Sequence, residues 1–278
     1  MLKQRVITAV VLLLALSAAL AGLDLTGWSW LVAGILGLAG WEWGRLCGLG
    51  ENGARASGVL TFGLVAAAAR ICFTADGLAA DAAHLLSPLH AIAIAFWLIV
   101  VPFWMSRGRR PGKGWLMLTG AVVLIPPALA LIQLRIEGLL TLLLLMAVVW
   151  IADIAAYFTG KAFGRHKLAP TISPGKTWEG AAGAVLAVQV YGFAIRPWLF
   201  DGAHVLPTAL WSATLLLLTA VSIVGDLFES MMKRQAGMKD SSQLLPGHGG
   251  VLDRVDSLTA TLPLIGFALL NLLHGAQT

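Results

Sequence analysis

Charge is what this sequence has least of. Asp, Glu, Lys and Arg make up 12% of its 278 residues, where soluble domains carry about 25%. Hydrophobic residues make up 58%, and the mean hydropathy is +0.84. That balance excludes a water-soluble fold and fits a polytopic membrane protein. Cysteine is scarce as well. Cys47 and Cys72 lie in or beside apolar segments without metal-ligand spacing, so a disulfide framework and a cysteine metal site both fall away. They read as buried thiols. No polar linker separates two folded units, and no internal repeat is present. The net charge of +5 needs no nucleic acid, because positive loops beside an anionic membrane surface account for it.

What is present is a series of apolar runs. A membrane-crossing helix needs about 20 mostly apolar residues. The runs that qualify are 6–23, 27–46, 57–74, 86–105, 115–134, 138–159, 179–197, 208–232 and 257–274. The expected fold is an all-α polytopic integral membrane protein of about nine transmembrane helices. Five runs fall in an N-terminal region, 1–135. Four fall in a C-terminal region, 136–278, which carries the polar motifs and a polar cavity facing the cytoplasm. No separate soluble domain is expected. The weakest runs are the second, which contains Glu42, and the sixth, which contains Asp153. The first follows Lys3 and Arg5 and ends in small residues, as a signal peptide does. Val6 to Leu23 is long for that role, so the span is expected to be retained.

Basic residues set the orientation. With the N-terminus in the cytoplasm, that side receives Lys3, Arg5, Arg45, Arg55, Arg107, Arg109, Arg110, Lys113, Lys161, Arg165, Lys167, Lys176, Lys233, Arg234, Lys239 and Arg254. Only Arg70, Arg135 and Arg196 fall opposite, 16 against 3 of the 19 Lys and Arg. Trp28, Trp30, Trp104, Trp115, Trp178, Trp198 and Trp211 sit near predicted span ends, where lipid anchoring explains them. His84, His90, His204 and His274 read as isolated loop or interface residues.

The remaining polar residues gather in two places on the cytoplasmic side. One is GKAFGRHKLAPTISPGKTWEG, 160–180; the other is KDSSQLLPGHGGVLDRVD, 239–256. Acidic groups also enter the membrane. Asp153 has Tyr157 one turn on, and Asp226 has Glu229 and Ser230 at i+3 and i+4, on one helix face. An intramembrane carboxylate costs about 2.5–3.5 kcal/mol on insertion scales, so it faces a partner or a polar cavity. Glu42 is expected to pair locally with Arg45. Asp253 and Asp256 share a face at a helix start and suit a hard divalent cation; complementing the helix dipole is the alternative. Beside Asp226 they read as a three-carboxylate metal site, with basic side chains around it for phosphates. That is the composition of phosphoryl-type transfer. SPGKT, 173–177, is not a Walker loop, because Pro170 stands where the motif needs glycine.

From Ser230 to Asp256 the chain reads SMMKRQAGMKDSSQLLPGHGGVLDRVD. This resembles, without departure, the signature of the phosphatidate cytidylyltransferases, or CDP-diacylglycerol synthases: S-x-h-K-R-x4-K-D-x-small-x2-h-[PG]-x-H-G-G-h-x-D-R-h-D, h being hydrophobic. The segment 153–180 is similar to a second stretch shared by that family. The first five spans carry no specific motif. The resemblance implies the reaction CTP + phosphatidic acid → CDP-diacylglycerol + pyrophosphate. It also implies magnesium dependence, a helical membrane fold, a homodimer and a bacterial inner-membrane location. The residues alone reach a cation and phosphates; cytidine and the lipid rest on the resemblance.

On this reading Asp226 and Asp256 hold Mg2+, with Asp253 as a third ligand or a supporting partner. Lys233, Arg234, Lys239 and Arg254 clamp the triphosphate and the lipid phosphate. Ser173, Lys176 and Thr177 supply phosphate contacts from the earlier loop, while Asp153 and Tyr157 shape the cavity wall. Asp240 orients a basic residue or a second cation, and His248 either contacts phosphate or stabilises a turn. A transporter would spread polar residues through the bilayer midplane, whereas here they cluster at one face. The D-G-x-x-A-R pattern of CDP-alcohol phosphotransferases is absent.

Overall fold

A computed structural model describes residues 2–200 and 206–273. His204 and His274, and the side chains of Lys3 and Arg5, lie outside the described residues. The order is α1 (Leu2–Gly22), α2 (Leu25–Leu46), α3 (Glu51–Cys72), α4 (Ala82–Ala95), α5 (Val101–Arg107), α6 (Lys113–Ile136), α7 (Leu139–Phe163), α8 (Trp178–Leu199), α9 (Thr208–Gln235) and α10 (Leu252–Ala268). A π-helical turn, Phe96–Val100, joins α4 to α5 in one rod. Each apolar run predicted from the sequence overlaps one helical rod. Among the described residues, six rods are long and apolar enough to cross a membrane: Glu51–Cys72, Ala82–Arg107, Lys113–Ile136, Leu139–Phe163, Trp178–Leu199 and Thr208–Gln235. The chain is a helical, multi-pass membrane protein.

Two short antiparallel hairpins interrupt the helices. Phe73–Thr74 (β1) pairs with Gly77–Leu78 (β2), and Lys167–Ala169 (β3) with Ser173–Thr177 (β4). The second occupies the segment expected to be loop. SPGKT is an extended strand, with no parallel sheet beside it.

Without water in the bilayer core, helices approach through small residues and satisfy polar groups across the interface. Between α2 and α3, Ser57 Oγ donates to Gly40 O at 2.8 Å. Several indoles do the same work. Trp28, Trp104 and Trp211 are buried; Nε1 of Trp28 and of Trp211 donates across to Leu131 O of α6 and Gly192 O of α8, while Trp104 Nε1 donates to Arg109 O in the loop after α5. These three are packing donors, which corrects the reading of them as lipid anchors; Trp30, Trp115, Trp178 and Trp198 are exposed. His90 is likewise fully buried rather than interfacial. Its Nε2 lies 3.4 Å from Gln133 Oε1, and Gln133 Nε2 donates to Gly266 O at 3.1 Å, tying α4, α6 and α10 together.

The loops assigned to the cytoplasm meet at one end of the bundle. Arg110 donates to Leu46 O at 2.6 Å and to Gln235 O. Gln235 Nε2 donates to Gly108 O, and Arg45 Nη1 to Ser241 O at 3.1 Å. The β3–β4 hairpin lies at this same end, linked to α9 through Lys176.

Candidate active site

Three helices and one hairpin bring the site residues together. Phe228 fixes α9. It is buried, with ring centroids 5.3 Å from Trp104, 5.5 Å from Trp97, 6.0 Å from Phe96 and 6.4 Å from Trp43. This aromatic hub holds the turn that carries Asp226 and Glu229. Gly225 sets the α9–α10 crossing: a Cβ there would stand 2.8 Å from Ala260 Cβ and 2.9 Å from Asp256 O. The absence of a side chain lets the backbones close until Asp226 and Asp256 are neighbours.

At the centre lie Asp153 of α7, Asp226 and Glu229 of α9, and Asp256 of α10. Asp256 feels the charges of the other three. Lys176, carried on β4, reaches Asp226 Oδ2 at 2.5 Å, and Ser230 Oγ lies 3.4 Å from Asp226 Oδ1. Asp153 Oδ1 accepts from Ser257 Oγ at 3.4 Å, and Asp256 Oδ1 from Ser257 N at 2.8 Å. The two polar segments, far apart in sequence, thus form one site.

A second layer surrounds Lys233. Its Nζ bridges Glu229 Oε2 at 2.8 Å and Asp253 Oδ1 at 2.5 Å. Asp253 Oδ2 accepts from Ser241 N, Ser241 Oγ and Gly250 N at 2.8–2.9 Å. Lys233 is therefore occupied as an internal bridge, not extended as the phosphate clamp the sequence reading made it. Asp253 is turned to the loop and to Lys233. Thr177 is buried, and its Oγ1 accepts from Gly180 N at 3.1 Å as the N-cap of α8, a capping role rather than a free phosphate contact.

The other expected residues lie around this core. Arg234, Lys239 and Arg254 are exposed, Ser173 and Asp240 partly so. Asp240 Oδ2 accepts from Gln243 Nε2 at 3.5 Å. Tyr157 is exposed on α7, its ring edge-on to Phe158 with Lys161 Nζ 5.8 Å from its centroid. His248 shapes the PGHGG turn: His248 N donates to Leu245 O, Leu245 N to Gly249 O, and Gly247 and Gly249 take the left-handed backbone (φ +77° and +85°) that favours glycine.

Glu42 corrects the sequence reading most sharply. It forms no ion pair with Arg45. It is fully buried and accepts from Ser242 Oγ (2.5 Å), Ser241 Oγ (3.1 Å), Val251 N (2.9 Å) and Leu252 N (2.7 Å). Glu229 is also buried, and its Oε1 has no partner among the described residues.

The central donor set is all oxygen and strongly acidic, the chemistry of a hard cation such as Mg2+. Among the described residues, no three or more His, Cys, Asp or Glu side chains are grouped so that they could hold a metal ion. Lys176 supplies the neutralising charge at Asp226.

Comparison with known proteins identifies the class. The cytidylyltransferase family model matches residues 3–272, and the chain belongs to that family. Among its relatives is a Pseudomonas aeruginosa protein named phosphatidate cytidylyltransferase, 41% identical and covering 95% of each chain. One of the same name from Haemophilus influenzae is 37% identical, covering 96% of this chain and 98% of the relative. Another from Brucella suis is 44% identical over 60% of each chain.

Proposed function

We propose that this chain is a phosphatidate cytidylyltransferase. It transfers CMP from CTP to phosphatidic acid, giving CDP-diacylglycerol and pyrophosphate. The observation that carries this reading is that Asp226, just before the Ser230–Asp256 signature, pairs with Lys176 of the 153–180 segment and lies beside Asp256 of the signature. The names of the full-length relatives support the same reaction.

The phosphatidate phosphate already has a nucleophilic oxygen. It attacks the α-phosphorus of CTP in line; the α–β bridging P–O bond breaks, and pyrophosphate leaves with the electron pair. No covalent enzyme intermediate is required. Catalysis then consists of aligning two polyanions and neutralising the charge that moves to the leaving group. Exposed Arg234, Lys239 and Arg254 and the Lys176 arm would meet the phosphates. Lys233 holds Glu229 and Asp253 in place. Asp226 and Asp256, with Asp153 and Glu229 nearby, would hold Mg2+, and Asp240 could serve a second cation. Bound there, the cation would offset phosphate charge.

Nine crossings, a cytoplasmic N-terminus, a site cavity open to the cytoplasm of a bacterial inner membrane, and a homodimer belong to the same proposal. The 16-to-3 distribution of Lys and Arg and the clustering of the basic loops at one end support the orientation. Light scattering in detergent tests the dimer. For the reaction, purified chain in detergent is given CTP labelled on the α-phosphate, phosphatidate and magnesium. Label should enter the organic phase with release of one pyrophosphate per lipid product. A transporter would release no pyrophosphate, and that result would remove the proposal.

A further inference from the structure

Glu42 belongs to α2, in the half of the chain that carries none of the signature, yet it is built into the signature loop. Its Oε1 accepts from Ser242 Oγ and Val251 N, and its Oε2 from Ser241 Oγ and Leu252 N. Val251 and Leu252 open α10, and no side chain of α10's own N-cap residue satisfies that end. The first amides of a helix lack intrahelical acceptors and carry the positive end of its dipole. A carboxylate from a different helix fills both needs here. Space is reserved for it: a Cβ on Gly250 would run into Glu42 Oε1 and Ser241 Oγ. The adjacent Arg45 adds a second tether from α2, its guanidinium donating to Ser241 O and lying 5.1 Å from the Trp41 ring centroid.

The contacts continue into the acidic site. Ser241 Oγ lies 3.1 Å from Glu42 Oε2 and 2.9 Å from Asp253 Oδ2. A hydroxyl has one proton, so it donates to one of them at a time. Asp253 then takes Lys233, and Lys233 takes Glu229. Asp256 stands one turn along the helix whose start Glu42 holds.

We propose that Glu42 is a positioning residue for cytidylyl transfer: it fixes the start of α10 and the 241–252 loop, and through them the placement of Asp253 and Asp256. This rests on the cytidylyltransferase reading above. It explains why a fully buried carboxylate stands in a mainly apolar helix, where an unpartnered charge would be costly.

Two readouts test it in the full-length protein. The first is amide hydrogen exchange in detergent, which does not depend on activity. In Glu42→Gln one carboxylate oxygen becomes an NH2 facing donors, and an unsatisfied buried group costs about 1–3 kcal/mol, so exchange across 250–253 should speed by roughly tenfold or more. Other helices should keep their protection. The second is kinetic. Because the reacting geometry is disturbed and exposed phosphate-binding cations are not, kcat should fall about tenfold or more while the KM for CTP changes little. Glu42→Asp, which keeps the charge, should recover part of the loss. Should Glu42→Gln fail to fold, Ser242→Ala removes one contact to Glu42, together with the bond that Ser242 Oγ accepts from Leu244 N, and should raise exchange at the same amides by about threefold. Unchanged exchange at 250–253 in the folded variants, or unchanged kcat in Glu42→Gln, overturns the proposal. Parent protein that forms no labelled lipid overturns the assigned reaction instead, and the exchange result still decides the positioning of the loop.

Discussion

Lys176 Nζ sits 2.5 Å from Asp226 Oδ2, linking a strand of the β3–β4 hairpin to the middle of the acidic cluster on α9. Both groups are partly exposed, so the pair is open to exchange with other charges. A cation arriving at Asp226 would compete with the lysine for the same carboxylate. Lys176→Met should therefore lower the melting temperature in EDTA, because Asp226, Asp153 and Asp256 lose their nearest countercharge. It should also enlarge the stabilisation produced by magnesium. Thermal unfolding in detergent, with EDTA and with magnesium, gives both values. An equal magnesium-induced shift in parent and variant would separate Lys176 from cation binding.

Asp226→Asn and Asp256→Asn should each reduce turnover by about a hundredfold or more, since each removes charge where the proposed cation would be held. Stability should stay level or rise slightly. The four clustered carboxylates repel one another, and in Asp256→Asn the side-chain amide oxygen can still accept from Ser257 N. Activity within a fewfold of parent at saturating magnesium would take that residue out of the proposed cation site.

Gly225 tests the helix crossing independently of charge. Gly225→Val would put side-chain atoms against Ala260 and the Asp256 carbonyl, and overpacking of this kind costs typically about 1–3 kcal/mol. The expected result is a folded protein with a lowered melting temperature and a larger loss of kcat than of stability, as Asp226 and Asp256 part. Normal kcat in this variant would mean that their spacing has slack.

The polar signature stands out in the sequence because charge is rare in this chain, so Asp226, Asp253 and Asp256 read as one carboxylate group, with Lys176 among the phosphate contacts of the other segment. The length of the apolar runs likewise located every rod. What could not be read was the direction in which each group points. Lys233 is flanked by phosphate-binding candidates, yet a helical neighbour at i−4, Glu229, and the distant Asp253 claim its charge. Thr177 lies in a phosphate-like SPGKT string and is taken by the N-terminus of α8. Glu42 has Arg45 on its own helix face, which suggests a local pair; its actual partners lie about two hundred residues on, a relationship that only the packing of α2 against the signature loop reveals. A carboxylate in an apolar run was the signal, and the distance of its partner was the missing information.

Topology is the most exposed expectation. Arg109 lies in the loop whose Arg110 side chain binds Leu46 O, at the end of the bundle that carries the acidic site. Ala75 lies in the exposed β1–β2 turn, at the opposite end. Cys47 and Cys72 are both buried free thiols, and replacing them by Ala gives a background for labelling. A cysteine at 109 should react with an impermeant thiol reagent only in inside-out membrane vesicles, and one at 75 only in right-side-out vesicles. This follows from the excess of basic residues on the site-bearing end, which the positive-inside rule would keep in the cytoplasm, where CTP would be available. Labelling of both from one side would break the nine-crossing arrangement. Labelling with the sides exchanged would turn the acidic site away from its nucleotide, and the proposed reaction would have to be abandoned with it.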